Sequence, residues 1–319
     1  MTVIGSSYHA IAPAEGTPSQ GPAETLPPLE IIRPAVQTVP LVVASPHSGC
    51  RYSDDFLAAS KLDPITLRRS EDAHVHLLSR HAPALGAPLI HALFPRAYLD
   101  ANREPYELDP AMFQDRLPDY ANTRSPRVAA GLGTIARMVG NGSDIYRRKL
   151  TFAEAAARID HCYRPYHDAL ASLVEETRQR FGFCILIDCH SMPSGLVGSH
   201  GIPPASRPGA DFVLGDCHGS SCHRLVSNTA HAVLVGAGYH AARNAPYAGG
   251  FTTRHYGAPK QSVHAIQVEI SRHLYMNEET YVPLEPGFNE VESMLTALFK
   301  TLGELDLAPG ATARKGLLR

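Results

Sequence analysis

The chain has 319 residues, 44% hydrophobic and 19% charged, and a formal net charge of −2, so it lacks the basic excess that nucleic acid or an anionic membrane surface would require. No apolar run approaches the roughly 18 residues of a membrane span, and no basic segment precedes an apolar signal core, which predicts a cytoplasmic protein. The six Cys form no C-x-x-C pair and predict reduced thiols, whereas 17 His in a chain without Trp make a metal site worth seeking.

Residues 1–38 are rich in Pro and small polar residues and predict an irregular N-terminal arm. Residues 39–319 then predict a single α/β domain with a loose C-terminal tail, because apolar runs and helical patterns alternate without an internal repeat. The run Pro40 to Ser45 is a short buried strand that delivers His47 at its carboxyl end. Asp63-Pro64 is a helix start, and this helix or the next carries Glu71-Asp72. Two further strands are predicted over Pro88 to Ala92 and Ala97 to Arg103, the second ending in Asp100-Ala101-Asn102-Arg103.

Beyond Pro105 the chain reads as loop, with Gly131-Leu132-Gly133 and Gly140-Asn141-Gly142 able to fold backbone over a ligand. Thr151 and Glu154 make a capping box that opens a long helix from Phe152 to about Phe181, and Pro165 either kinks it or divides it into two. Phe183 to Ile187 is a strand buried on both faces that runs into Asp188-Cys189-His190-Ser191. A loop over 194–210, a strand near Asp211 to Asp216, a helix near Ser221 to Gly236 and a loop from Asn244 to Gly257 follow. His264 to Arg272 is the last strand, apolar apart from Glu269, and a closing helix runs from about Gly287 to Leu302.

Polar residues just past the carboxyl ends of strands in an α/β sheet are placed for chemistry. His47 and His190 both occupy such positions, and with one carboxylate they make the ligand set of an open catalytic zinc site. Imidazole suits zinc better than magnesium or calcium, which prefer all-oxygen cages. Glu71 and Asp72 are both candidates for the carboxylate. Glu269 is either a general base with a raised pKa or the ion-pair partner of Arg272, since an unpaired carboxylate is costly to bury. Asn102-Arg103 pairs an amide with a guanidinium suited to a substrate carboxylate, and Arg254, beside Thr252-Thr253, offers a second anion site. Cys217-His218 and Cys222-His223 fit no common zinc module, and no G-x-S-x-G, P-loop, G-x-G-x-x-G after a strand or H-E-x-x-H occurs.

Taken together, Ser45-Pro46-His47-Ser48-Gly49, Glu71-Asp72, Asp100-Ala101-Asn102-Arg103, Gly131-Leu132-Gly133, Ile145-Tyr146-Arg147, Arg164-Pro165-Tyr166-His167, Ile187-Asp188-Cys189-His190-Ser191-Met192-Pro193, Gly249-Gly250 and Gln267-Val268-Glu269 resemble the N-formylglutamate amidohydrolase family of histidine degradation. The resemblance runs in order from about residue 39 to 280. It implies a three-layer α/β/α fold with a mixed, mostly parallel sheet, distantly like zinc carboxypeptidases and aspartoacylases. It also implies one zinc ion on His47, Asp72 and His190, Glu269 as base, and Asn102 with Arg103 as carboxylate clamp. The peptidases take their acidic ligand three residues after the first His, where this chain has Cys50, so the carboxylate comes from elsewhere; Asp72 matches the family position and Glu71 stays open.

The activity implied is cleavage of N-formyl-L-glutamate to formate and L-glutamate. Arg103 would share the charge developing on the formyl oxygen, and Arg103 with Arg254 and Thr253 would anchor the small dianionic substrate. A deacylase of another N-acylated acidic amino acid or short peptide, or a non-catalytic metabolite-binding protein, are the alternatives.

Overall fold

The computed structural model describes residues 27–140, 142–194 and 209–308. Short runs dominated by aliphatic residues form the strands β1 (Leu29–Ile32), β2 (Leu41–Ser45), β3 (Leu89–Ala92), β4 (Cys184–Met192), β5 (Phe212–Gly215), β6 (Ala241–Arg243) and β7 (Val263–Ser271). The helices are α1 (Asp54–Ala59), α2 (Pro64–Leu67), α3 (Val75–Leu78), α4 (Pro126–Ala129), α5 (Phe152–Arg158), α6 (Arg164–Phe181), α7 (Arg224–Gly236), α8 (Phe251–Tyr256) and α9 (Gly287–Gly303).

The strands join in one seven-stranded sheet of order β1-β3-β2-β4-β7-β5-β6. The β2–β3, β2–β4, β4–β7 and β5–β6 pairs are parallel, and β1–β3 and β5–β7 are antiparallel. Alternation along the strands divides the core between two faces. Leu41, Val43, Ile185, Ile187, Ile266 and Val268 pack with Val75, Val226, Leu234, Leu295 and Leu298 from α3, α7 and α9. Val42, Ala44, Ile90, Leu186 and Ala265 pack on the other face with Ala155, Tyr166, Leu170 and Leu173 from α5 and α6. This is the three-layer α/β/α arrangement with a mixed, mostly parallel sheet that the sequence predicts.

The capping box is present at Thr151, whose hydroxyl accepts from Glu154 N at 3.2 Å. Between α5 and α6 the backbone widens into a π-turn over Ile159–Tyr163. Pro165 supplies no N–H for the ladder there, so the helix continues through a bulge instead of breaking.

Several expectations need correction. The arm was expected to stay irregular to residue 38, yet Leu29–Ile32 forms edge strand β1, pairing Leu29 with Ala92 and Ile31 with Ile90. Residues 1–26, most of the 194–210 loop and the tail beyond 308 lie outside the described residues. Ala97 to Arg103 is not a strand but a run of turns, with Tyr98 N and Leu99 N both bonded to Pro95 O. There Asp100 turns back to accept from Asn102 N at 2.8 Å, a local bond that competes with a strand ladder. Glu71 and Asp72 sit on no helix; they lie in extended chain between the 3-10 turn Arg68–Ser70 and α3. The stretch from Asn244 to Gly257, expected as a loop, contains α8. Among the described residues no helix is long and apolar enough to cross a membrane.

Candidate active site

The register of β4 on β7 sets the site. On the face packed by α6, the Cα partners run Cys184 with Val263, Leu186 with Ala265, Asp188 with Gln267, and His190 with Glu269. The first two rows are apolar and the last two polar, so chemistry begins halfway along two adjacent strands. Glu269 therefore stands beside His190, and both side chains leave the same face.

His47 follows β2, the other neighbour of β4, and Asp72 arrives from the segment after Ser70, where its backbone N–H donates to His47 O at 3.0 Å. Three donor atoms converge: His47 Nδ1 and His190 Nδ1 lie 3.2 and 3.0 Å from Asp72 Oδ2, and 3.1 Å from each other. Edges of about 3.3 Å are what a tetrahedral zinc site with two imidazoles and a carboxylate presents. Two imidazole nitrogens turned toward each other and toward one carboxylate oxygen also call for a cation among them. Among the described residues, His47, Asp72 and His190 are the group of buried ligating side chains whose atoms come together in this way.

The far nitrogens are held too. His47 Nε2 is 2.7 Å from Asp100 Oδ1, and His190 Nε2 is 3.0 Å from Asp188 Oδ2. A carboxylate behind each imidazole fixes its ring and directs the other nitrogen inward, as around bound metals. Asp100 in turn accepts from Arg96 Nε at 2.9 Å, and Asp72 from Arg272 Nη2 and Ser191 Oγ, each at 3.2 Å. Three carboxylates (Asp72, Asp100 and Asp188) stand within 3.2 Å of the two imidazoles, which concentrates negative charge where a metal cation would sit.

Electrostatics follow from this crowding. Burial pushes the Asp72 carboxyl up, but the His190 and His47 hydrogen bonds and charge outweigh it and hold the group well below the carboxylate range. Burial disfavours a charged His190, yet Asp188 and Asp72 raise it well above the ordinary imidazole value. These carboxylates favour positive charge at the ring, which a divalent ion could supply in place of a proton. Burial pushes Glu269 up to about 7, with the His190 charge opposing and Asp72 adding to the rise.

Glu71 turns away from this centre, accepting from Tyr52 Oη at 2.7 Å and from Arg68 Nε at 3.0 Å. Glu269 does not pair with Arg272; its partner is Gln267 Nε2 at 2.6 Å, while Arg272 serves Asp72, Ser191 Oγ and Glu71 O. Asn102 Nδ2 lies 3.3 Å from His190 Nε2, and its Oδ1 accepts from Thr252 N at 2.8 Å. A Cβ on Gly250 would overlap the Asn102 amide, which explains glycine at that position.

These groups open on a cavity of ≈ 460 Å³ whose wall includes His47, His190, Glu269, Asn102 and Arg103. Leu132 and Gly140, from the Gly-containing stretches expected to fold over a ligand, are also in the wall. Arg254 and Thr253 are not brought to it. Helix α8 buries Thr252 and Thr253 and turns Arg254 to solvent, where its guanidinium donates to Gly249 O at 3.0 Å. Thr253 Oγ1 lies 3.4 Å from Gln267 Oε1. Sequence reasoning assigned no role to Asp100 or Arg96, and none at the ligands to Asp188 or Arg272. Of these Asp188 left a signal, two residues before His190 on the same strand face, and so did Asp100, in the polar segment with Asn102-Arg103.

A model of the N-formylglutamate amidohydrolase family matches residues 39–276. An N-formylglutamate deformylase of Pseudomonas putida is 29% identical over 245 residues, 75% of this chain and 83% of that protein. One of Pseudomonas aeruginosa is 30% identical over 246 residues, 76% of this chain and 84% of the relative. The crystal structure of an N-formylglutamate amidohydrolase from Ralstonia eutropha JMP134 superposes with a TM-score of 0.81 at 37% identity, covering 91% of this chain and all of that one.

Proposed function

The chain belongs to the N-formylglutamate amidohydrolase family, and from that premise we propose that it hydrolyses N-formyl-L-glutamate to formate and L-glutamate with the help of one zinc ion. The observation that carries the reading is Glu269 beside His190 across the β4–β7 register, at the wall of an arginine-lined cavity. Zinc held by His47, Asp72 and His190 would polarise the formyl oxygen and acidify water. Glu269, with its affinity for a proton near neutrality, takes one from the attacking water and returns it to the amide nitrogen as the C–N bond breaks. Arg103 receives the α-carboxylate of the substrate through the donors not already given to Leu132 O and Asn102 O, and Asn102, its Oδ1 held by Thr252 N, offers its Nδ2 as the second donor of the clamp. A cytoplasmic location and a place in histidine degradation belong to the same reading.

The test is formate release from N-formyl-L-glutamate compared with N-acetyl- and N-succinyl-L-glutamate and N-formyl-L-aspartate. The expected result is a preference for N-formyl-L-glutamate above about tenfold, which needs only about 1.4 kcal/mol of differential transition-state binding. No formate from the zinc-supplied protein would end the reading.

A further inference from the structure

A dianionic substrate needs a second cation, and Arg254 is not at the cavity. Five guanidiniums are, those of Arg69, Arg96, Arg103, Arg127 and Arg272. Three are engaged within the protein: Arg96 with Asp100, Arg272 with Asp72, and Arg103 with the carbonyls of Leu132 and Asn102, both at 2.9 Å. Arg127 and Arg69 have no acceptor for their guanidinium among the described residues. They differ in setting, because Arg69 is exposed whereas Arg127 is half-buried on α4.

Arg127 lines the same cavity wall as Arg103. After burial, which pushes Arg103 down to about 10, the charges of Arg96 and Arg127 add to the depression while Asp100 opposes it. Arg103 keeps Asp100 Oδ2 at 3.5 Å as a counter-ion, whereas Arg127, at the same cavity wall, has none among the described residues, so an anion entering the cavity gains most beside Arg127. The chain following Arg127 supplies Leu132, Ala136 and Met138 to the same wall, an apolar surface for the methylenes of an amino-acid side chain.

We propose that Arg127 receives the side-chain carboxylate of the substrate and is the residue by which the enzyme distinguishes N-formylglutamate from neutral analogues. The inference rests on the formylglutamate reading above and adds the specificity determinant to it. The γ-carboxylate lies against Arg127 while the α-carboxylate meets Arg103, and the methylenes between them run along the Leu132 wall.

The experiment measures kcat/KM of the zinc-loaded wild type, Arg127→Gln, Arg127→Lys and Arg69→Gln on N-formyl-L-glutamate and N-formyl-L-glutamine. Arg127→Gln should lose about 100-fold on the glutamate substrate, chiefly in KM, and under about threefold on the glutamine one. Arg127→Lys should restore part of the preference, since it keeps the charge without the fork. Equal losses on both substrates, or loss of the discrimination in Arg69→Gln instead, would overturn the assignment to Arg127 alone. A wild type inactive on both substrates would overturn the formylglutamate reading, and this inference with it.

Discussion

The two faces of the β4–β7 pair are made by the same two strands and serve different ends. One carries Ile185, Ile187, Cys189, Ile266, Val268 and Ile270, a buried apolar run beneath α3, α7 and α9 with polar His264 and Ser191 only at its two ends. The other begins with Cys184, Leu186, Val263 and Ala265 and then changes to Asp188, His190, Gln267 and Glu269. The lesson is that a rigid apolar face positions its polar opposite. Neighbouring rows on one strand pair are fixed by the ladder, so His190 and Glu269 hold their spacing without help from loops. The polar half is costly to bury and is balanced by charge on charge, while the apolar half holds the sheet to its helices.

Substitutions on the two faces should therefore separate activity from stability. The largest effect is expected from Glu269→Gln, which keeps the side chain's shape and its bond from Gln267. It should lower kcat by about 10²- to 10⁴-fold while leaving the zinc content and the unfolding midpoint nearly unchanged. Early melting with normal turnover would make Glu269 a structural residue. On the opposite face, Ile187→Ala should cost about 2 to 5 kcal/mol in urea unfolding and leave turnover per folded molecule intact. A loss of turnover at unchanged stability would erase the distinction between the faces.

Acid should probe the polar side. His167 on α6 lies 2.8 Å from Ala101 O, within the turn that carries Asp100 and Asn102, and burial pushes its pKa from 6.5 to about 4. Its folded value is below its unfolded one, so the unfolded chain takes up the proton first on acidification. This contribution to stability is whole above about pH 6.5 and lost as pH falls toward 4, by about 3 kcal/mol. Urea unfolding at pH 7 and 4.5 should show that slope and a shallower one in His167→Gln; equal slopes would contradict it. A smaller effect belongs to Asp188→Asn, which keeps the shape behind His190 but weakens the ring's orientation. Zinc affinity should fall by about 10- to 100-fold, read by chelator competition, whereas an unchanged affinity would remove Asp188 from behind the ligand.

The sheet and the long helices were legible in the sequence because buried strands and amphipathic helices repeat their apolar pattern over many residues. His47, His190 and Glu269 were legible as polar groups at or within such runs, and Asp72 entered through the family resemblance. What was not legible depended on contacts between distant segments. The stretch Ala97 to Arg103 has the composition of a strand, but Tyr98 N and Leu99 N close on Pro95 O and the Asp100 carboxylate bonds Asn102 N, Arg96 and His47, which makes it a run of turns. The partner of Arg272 is Asp72 and not nearby Glu269, a choice made by the path of the chain after Ser271. Arg254 looked like an anchor beside two threonines, but helical periodicity turns it outward while its threonine neighbours point in.

Zinc X-ray absorption on the protein purified with stoichiometric metal tests whether His47, Asp72 and His190 hold a zinc ion. One zinc per chain is expected, with two imidazole nitrogens and a carboxylate oxygen at about 2.0 to 2.2 Å and the imidazole signal halved in His190→Ala. A protein that takes up no zinc, or one whose zinc spectrum is the same in His190→Ala, would contradict it.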